Sequence, residues 1–151
     1  MKVRIEIAED QPEEVVIRCR ELSEETERIR NALEDVLRGT ELCLSSGDTV
    51  YFVPISSILF FETDGDCVLA HTADKVYSSG EKLYHLEQIL PRTFVRVSKS
   101  CIVNSARVSF LRRGVTGTGE AGFSGSEKIA YVSRMYFGSL KEFIYETRIT
   151  K

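Results

Sequence analysis

Cysteine and histidine are the residues of this 151-residue chain best suited to covalent or metal chemistry, and their spacing argues against both. Cys19, Cys43, Cys67 and Cys101 stand 24, 24 and 34 residues apart, with no C-x-x-C pair. Zinc ribbons and thioredoxin-type sites need such a pair, because two thiolates must reach one ion or each other. All four cysteines lie among apolar or strand-forming neighbours, so they read as reduced core thiols behaving as small hydrophobes. Cys67 and His71 are close in sequence but share one strand-like run. At about 3.3 Å per residue their Cα atoms would be about 13 Å apart, too far for a nucleophile–base dyad. His71 and His85 do not form an i, i+4 helical metal pair, and no phosphate-cradling glycine loop or G-x-S-x-G occurs. Both histidines read as structural or exposed. Carboxylates are plentiful but crowd one helix and several turns, where a solvated face explains them. These residues support no enzyme, cofactor or small-molecule substrate.

Binding is the remaining class, and charge bears on it. The formal net charge is −3, which looks unfavourable for a polyanion partner. Its distribution is uneven, however. Residues 1–48 carry 7 Lys/Arg against 13 Asp/Glu, residues 49–90 carry 2 against 6, and residues 91–151 carry 11 against 4. The last part is therefore net +7, and local potential rather than the total governs binding to phosphate. Such separation also arises when two parts of a fold pair with each other. Composition is that of a soluble globular domain, 42% hydrophobic and 28% charged, with no apolar run near the ~20 residues that cross a bilayer. No signal-peptide h-region opens the chain, so a cytoplasmic protein is expected.

The elements that must position these charges follow from periodicity. Val3, Ile5 and Ile7 alternate at strand period, and Val15-Val16-Ile17-Cys19 forms a second apolar run. Ile29, Ala32, Leu33, Val36 and Leu37 fall on one helical face, with Ser23 as N-cap and Gly39 as stop. Residues 1–40 thus read β-β-α, too small to close a core alone. From residue 41 the chain is strand-rich. Leu42-Cys43-Leu44 and Val50 to Val53 flank a Ser-Ser-Gly-Asp turn, and Ile58 to Phe61 and Cys67 to Ala70 flank Thr63-Asp64-Gly65-Asp66. Val76-Tyr77 is a further short strand. Leu83, Leu86, Ile89 and Leu90 mark a short helix stopped by Pro91. Phe94 to Val97, Ile102-Val103, Val108 to Leu111 and Ile129 to Val132 are strands. Gly114 to Gly125, with five glycines, reads as a long flexible hairpin end set apart from any binding surface. Tyr136, Phe137, Leu140, Phe143 and Ile144 form the core stripe of a closing helix. The expected fold class is mostly β with flanking helices (α+β).

One stretch is specific. Phe94-Val95-Arg96-Val97-Ser98-Lys99-Ser100-Cys101-Ile102-Val103-Asn104 resembles the central signature of LytTR DNA-binding domains. Ile58 to Glu62 with its hairpin and the Leu83–Leu90 helix resemble that family's upstream elements. Val132-Ser133-Arg134, Tyr136 and the helix beyond resemble its C-terminal strand and helix. The likeness spans about residues 41–147. It implies an elongated antiparallel β-domain that binds double-stranded DNA through loops entering successive major grooves, in a sequence-specific transcriptional regulator.

Carried over by position, the resemblance makes Lys99, Arg134 and Asp66 base-contacting residues. Arg can fork onto guanine O6 and N7, Lys is a less strict donor to the same edge, and Asp can only accept, from cytosine N4. Arg96, Ser98 and Ser100 suit backbone phosphates, which position a protein without reading sequence. Asn104 fixes a turn rather than touching DNA. Two positions depart from the family: Lys99 stands where Arg is common, and Met135 where a second basic residue is frequent. The rival class is a protein-interaction module derived from such a domain.

About 40 residues before the likeness cannot hold a receiver domain of roughly 110–120 residues. The reading is therefore a stand-alone regulator, with a protein partner, a membrane protein among the candidates, supplying its signal. The apolar faces of residues 1–40 need either the β-domain or a second copy, and a homodimer is the favoured outcome. Light scattering on the full chain at ~100 μM, well above a typical micromolar dimer constant, should then give twice the monomer mass. A monomer would refute it.

Overall fold

The computed structural model describes residues 2–7, 10, 14–37 and 41–149. The chain divides into two units, Met1–Arg38 and Gly39–Lys151. In the first, helix α1 spans Glu24–Leu37. Ser23 caps it: the Thr26 amide donates to Ser23 Oγ at 3.2 Å, and Glu24, Glu25 and Glu27 sit at the positive end of the dipole. Ile29 and Leu33 of its stripe are half-buried and Ala32 and Val36 are exposed, while the Leu37 side chain and the Gly39 stop lie outside the described residues.

Among the described residues before α1, neither of the two expected strands is present. Residues 2–7 and 14–19 carry no ladder, and Val3, Ile5, Ile7, Val15 and Val16 are exposed. Alternation prepares one face of a strand, but a strand exists only when a neighbour takes up its N–H and C=O groups. No described segment does so here. Among the described residues the β-β-α reading of residues 1–40 is thus corrected to one helix, α1, with no strand before it.

The second unit is antiparallel throughout. Strands β1 (Glu41–Ser46), β2 (Thr49–Pro54), β3 (Phe60–Asp64), β4 (Cys67–His71), β5 (Val76–Ser79), β6 (Phe94–Ser98) and β7 (Cys101–Asn104) form one sheet in the order β2-β1-β5-β4-β3-β7-β6. Strands β8 (Val108–Arg113), β9 (Gly119–Phe123) and β10 (Ile129–Val132) form a second, ordered β10-β9-β8. Helix α2 (Leu83–Ile89) follows β5 and helix α3 (Arg134–Ile149) follows β10.

Two cores share strands β3 and β7 of the large sheet. Ile58, Phe61 and Ile102 enter one core with Leu83 and Leu86 of α2. Their neighbours Leu59, Phe60 and Val103 enter the other with Phe123, Phe137 and Leu140. Phe60 and Phe61, successive in β3, point to opposite faces, and Ile58 and Leu59 just before the strand also divide between the two cores, so the unbroken apolar run fills both.

The glycine-rich stretch is not a free hairpin end. Residues 119–123 are β9, the middle strand of the second sheet, paired to β8 and β10. Composition concealed the strand because two of its glycines stand where aromatic rings lie. A Cβ at Gly119 would fall 2.1 Å from the Phe137 ring, and one at Gly122 2.1 Å from Phe110. Replacing residues 116–124 by a short turn would therefore delete a core strand.

Phe137 is buried and cannot yield, whereas Phe110 is 44% exposed and can swing outward. Gly119→Ala should cost about 1–3 kcal/mol through overpacking, and Gly122→Ala less. Denaturant titration of the two variants checks the order.

Candidate nucleic-acid interface

Three turns that are remote in sequence meet at one end of the large sheet. The first joins β3 to β4: Asp64 pairs with Cys67, and Gly65, at φ 60°, makes the reversal. Asp66 is exposed there, and its carbonyl accepts from Lys82 Nζ at 3.4 Å. The second joins β6 to β7 and carries Lys99, exposed, between Ser98 and Ser100. The third is the β10–α3 junction, where Ser133 and Arg134 open the helix.

Backbone hydrogen bonds tie the three together. The Thr63 amide donates to the Ser100 carbonyl at 2.8 Å, and the Ser133 amide donates to the Val97 carbonyl at 2.8 Å. The second bond depends on an irregularity in β6. Arg96 pairs with Ile102 and Ser98 with Cys101, so Val97 has no partner across the ladder. Such a bulge re-aims side chains and frees backbone groups. Here Val97 drops into the core, completely buried, while its carbonyl is left to receive Ser133.

The candidate residues differ in what holds them. Arg134 is exposed, but its guanidinium donates to the Thr116 carbonyl, and its Nε lies 2.8 Å from where a Cβ on Gly117 would stand. Gly117 itself is at φ 88°. The turn from Gly114 to Thr118 thus stands beside Arg134, although its sequence offered no sign of it. Arg113, at the end of β8, lies over the Phe137 ring with its guanidinium carbon 4.4 Å from the centroid, which adds a cation beside the same helix. The Ser100 amide donates to Ser98 Oγ at 3.2 Å, so the second turn is braced from within. Arg96 is largely withdrawn from solvent. Its guanidinium donates to the Ser98 carbonyl at 2.6 Å, to the Lys99 carbonyl, and to Glu87 Oε2 on α2 at 3.1 Å. Asn104 is buried, with Nδ2 donating to the Ile58 carbonyl at 3.0 Å and Oδ1 accepting from the Ala106 amide at 3.2 Å, which locks the turn after β7.

The titratable groups nearby are structural. His71 stacks on Phe60 at 4.2 Å between centroids and meets Glu62 Oε1 at 2.7 Å through Nε2. Burial holds its pKa below the ordinary imidazole value, against the opposing pull of Glu62. The cysteines are corrected in part. All four are free thiols, but Cys101 alone is buried, while Cys19, Cys43 and Cys67 are exposed. Cys43 lies at an outward position of β1 and Cys67 opens β4 at its exposed turn, where apolar sequence neighbours point to the other face. Burial pushes the Cys101 thiol up to about 12.

The LytTr DNA-binding domain family matches residues 48–145 of this sequence. The chain belongs to that family. Its function is DNA binding in transcription regulation. The LytTR assignment is joined by curated relatives from Staphylococcus aureus strains NCTC 8325 and COL, each described as an uncharacterised HTH-type transcriptional regulator. Both are 27% identical over 143 residues, covering 94% of this chain and 97% of the relative. A solved LytTr DNA-binding domain of a methyl-accepting/DNA response regulator from Bacillus cereus has the same fold. Its TM-score is 0.64 at 19% identity, covering 70% of this chain and 96% of that one. The mostly antiparallel β architecture with three helices agrees with the fold class expected from sequence. Among the described residues no two helices are joined by a short turn, since five strands separate α1 from α2 and five separate α2 from α3. No described helix is long and apolar enough to cross a membrane.

Cys101 begins β7 directly beyond the Lys99 turn, so its reactivity reports whether that end of the sheet opens. With a pKa of about 12, its thiolate fraction at pH 8 is roughly one in ten thousand. In the folded protein a thiol reagent should modify Cys19, Cys43 and Cys67 rapidly and Cys101 only on unfolding, as mapped by peptide mass spectrometry.

Proposed function

We propose that this LytTR protein reads double-stranded DNA through the turns at residues 63–66, 98–100 and 133–134, entering major grooves, with Lys99 and Arg134 on base edges. The observation that carries this reading is the pair of backbone hydrogen bonds, Thr63 to Ser100 and Ser133 to Val97, that fix these turns side by side. Asp66 is the third base contact, accepting from cytosine. The exposed Ser100 hydroxyl and the half-buried Ser98 hydroxyl are phosphate contacts, and Arg96 is the remaining candidate of that class. Acidic Asp64 and Asp66 stand on the first turn, while Lys99, Arg113 and Arg134 are exposed on the other elements of this end. The acidic hairpin suits base edges, where a carboxylate has donors to meet, and disfavours the phosphate backbone.

The same reading makes the chain a regulator rather than an enzyme, acting in the cytoplasm as a homodimer through residues 1–40. A dimer raises the effective concentration of a second set of turns over a second half-site. A protein partner supplies the signal. Selection from a random duplex pool, followed by gel shifts at low and moderate salt, tests the DNA reading. Binding must weaken with salt with a slope set by the number of phosphates neutralised.

Arg134→Ala should cost about 1–3 kcal/mol on the selected site and relax preference at one position of each half-site. Equal losses on selected and random duplexes would remove Arg134 as a base reader.

A further inference from the structure

We propose that Arg96 is a positioning residue of the DNA interface, whose guanidinium, anchored by Glu87 on α2, fixes the turn that presents Lys99. The proposal rests on the DNA reading above and assigns Arg96 a role other than phosphate contact. Three of the five guanidinium N–H groups are already engaged. Nε meets the Ser98 carbonyl at 2.6 Å, one terminal nitrogen meets the Lys99 carbonyl, and the other meets Glu87 Oε2 at 3.1 Å. The side chain is only 21% exposed. Swinging out toward a phosphate would release two backbone carbonyls and leave Glu87 without this partner.

The local backbone explains why a side chain is needed there. A regular hairpin holds its turn through the ladder, but this ladder slips between Arg96 and Ser98, and Val97 bonds to Ser133 instead of across the pair. The carbonyls of Ser98 and Lys99 both accept from the one guanidinium. A planar fork can satisfy both at once while its far side takes a carboxylate, which an ammonium on a flexible stem cannot do in one geometry. Glu87 therefore orients the guanidinium, the guanidinium orients the turn, and the turn aims Lys99.

Arg96→Ala, Arg96→Lys and Glu87→Ala in the full chain test this with two readouts. In the free protein, amide relaxation at Lys99 and Ser100 should show order parameters falling below about 0.6 in both Arg96 variants, with the strand amides unchanged. On DNA, both should lose about tenfold or more on the selected duplex and little on a scrambled one, with the slope of log affinity against log salt unchanged. Glu87→Ala should lose specific affinity in the same way, although it removes a negative charge. A phosphate contact behaves otherwise: equal losses on both duplexes, a slope lower by about one, and near-normal binding by Arg96→Lys. That pattern, or tighter specific binding by Glu87→Ala, would overturn the proposal. Rigid turn amides in Arg96→Ala would overturn it alone, whereas a wild-type chain that binds no duplex would defeat the DNA reading and this proposal with it.

Discussion

The placement of every candidate residue depends on two adjacent strands, β3 and β7, being buried on both faces. Phe60 and Phe61 are neighbours in the chain and point into different cores, as do Ile102 and Val103. Each large side chain withdrawn from water contributes about 1.5–3 kcal/mol, so a register slip of one residue would exchange the contents of both cores. That cost pins β3 against β7. The pairing in turn sets the Asp64–Cys67 turn beside the Ser98–Cys101 turn, and the Thr63 to Ser100 hydrogen bond is its direct consequence.

The second core couples the small sheet and α3 to the same strands. Phe60 stacks between His71 and Phe123, at 4.2 and 5.5 Å between centroids, so one ring joins β4 of the large sheet to β9 of the small one. At the opposite end of α3 from Arg134, Arg148 donates to the Ser105 and Val108 carbonyls, which anchors the helix to the chain leaving β7. Arg134 is thus held on a helix fixed at both ends, one by Ser133 on Val97 and the other by Arg148.

Electrostatics at the interface are local. A chain of net charge −3 serves a polyanion because its cations are grouped in residues 91–151, and the fold brings several of them to one end. Not all of them are free. Arg112 pairs with Glu120, and Arg96 pairs with Glu87, so the count of basic residues overstates the positive surface. The exposed cations that face no carboxylate partner in these pairs, Lys99 and Arg134 among them, carry more weight than the total.

What could be read from the sequence was whatever the chain's own geometry encodes. Apolar runs flanking turn residues located the strands from β1 to β8 and β10, and helical stripes located all three helices, because turn chemistry and helical periodicity are local properties of the backbone. The signature from Phe94 to Asn104 and the Arg134 junction marked the LytTR family and the candidate residues. Tertiary structure alone decided the rest. β9 escaped notice because Gly119 and Gly122 owe their identity to rings at positions 137 and 110. The alternating segments near the N-terminus do not become strands, since no described neighbour accepts their hydrogen bonds. Cys43 and Cys67 are exposed where their neighbours are apolar, because a strand turns adjacent residues to opposite faces. Arg96 looks like any exposed cation in the sequence, and only the fold shows its guanidinium closed upon a turn and a helix. In each case the deciding partner is distant in sequence or set by sheet orientation, and one-dimensional periodicity contains no record of it.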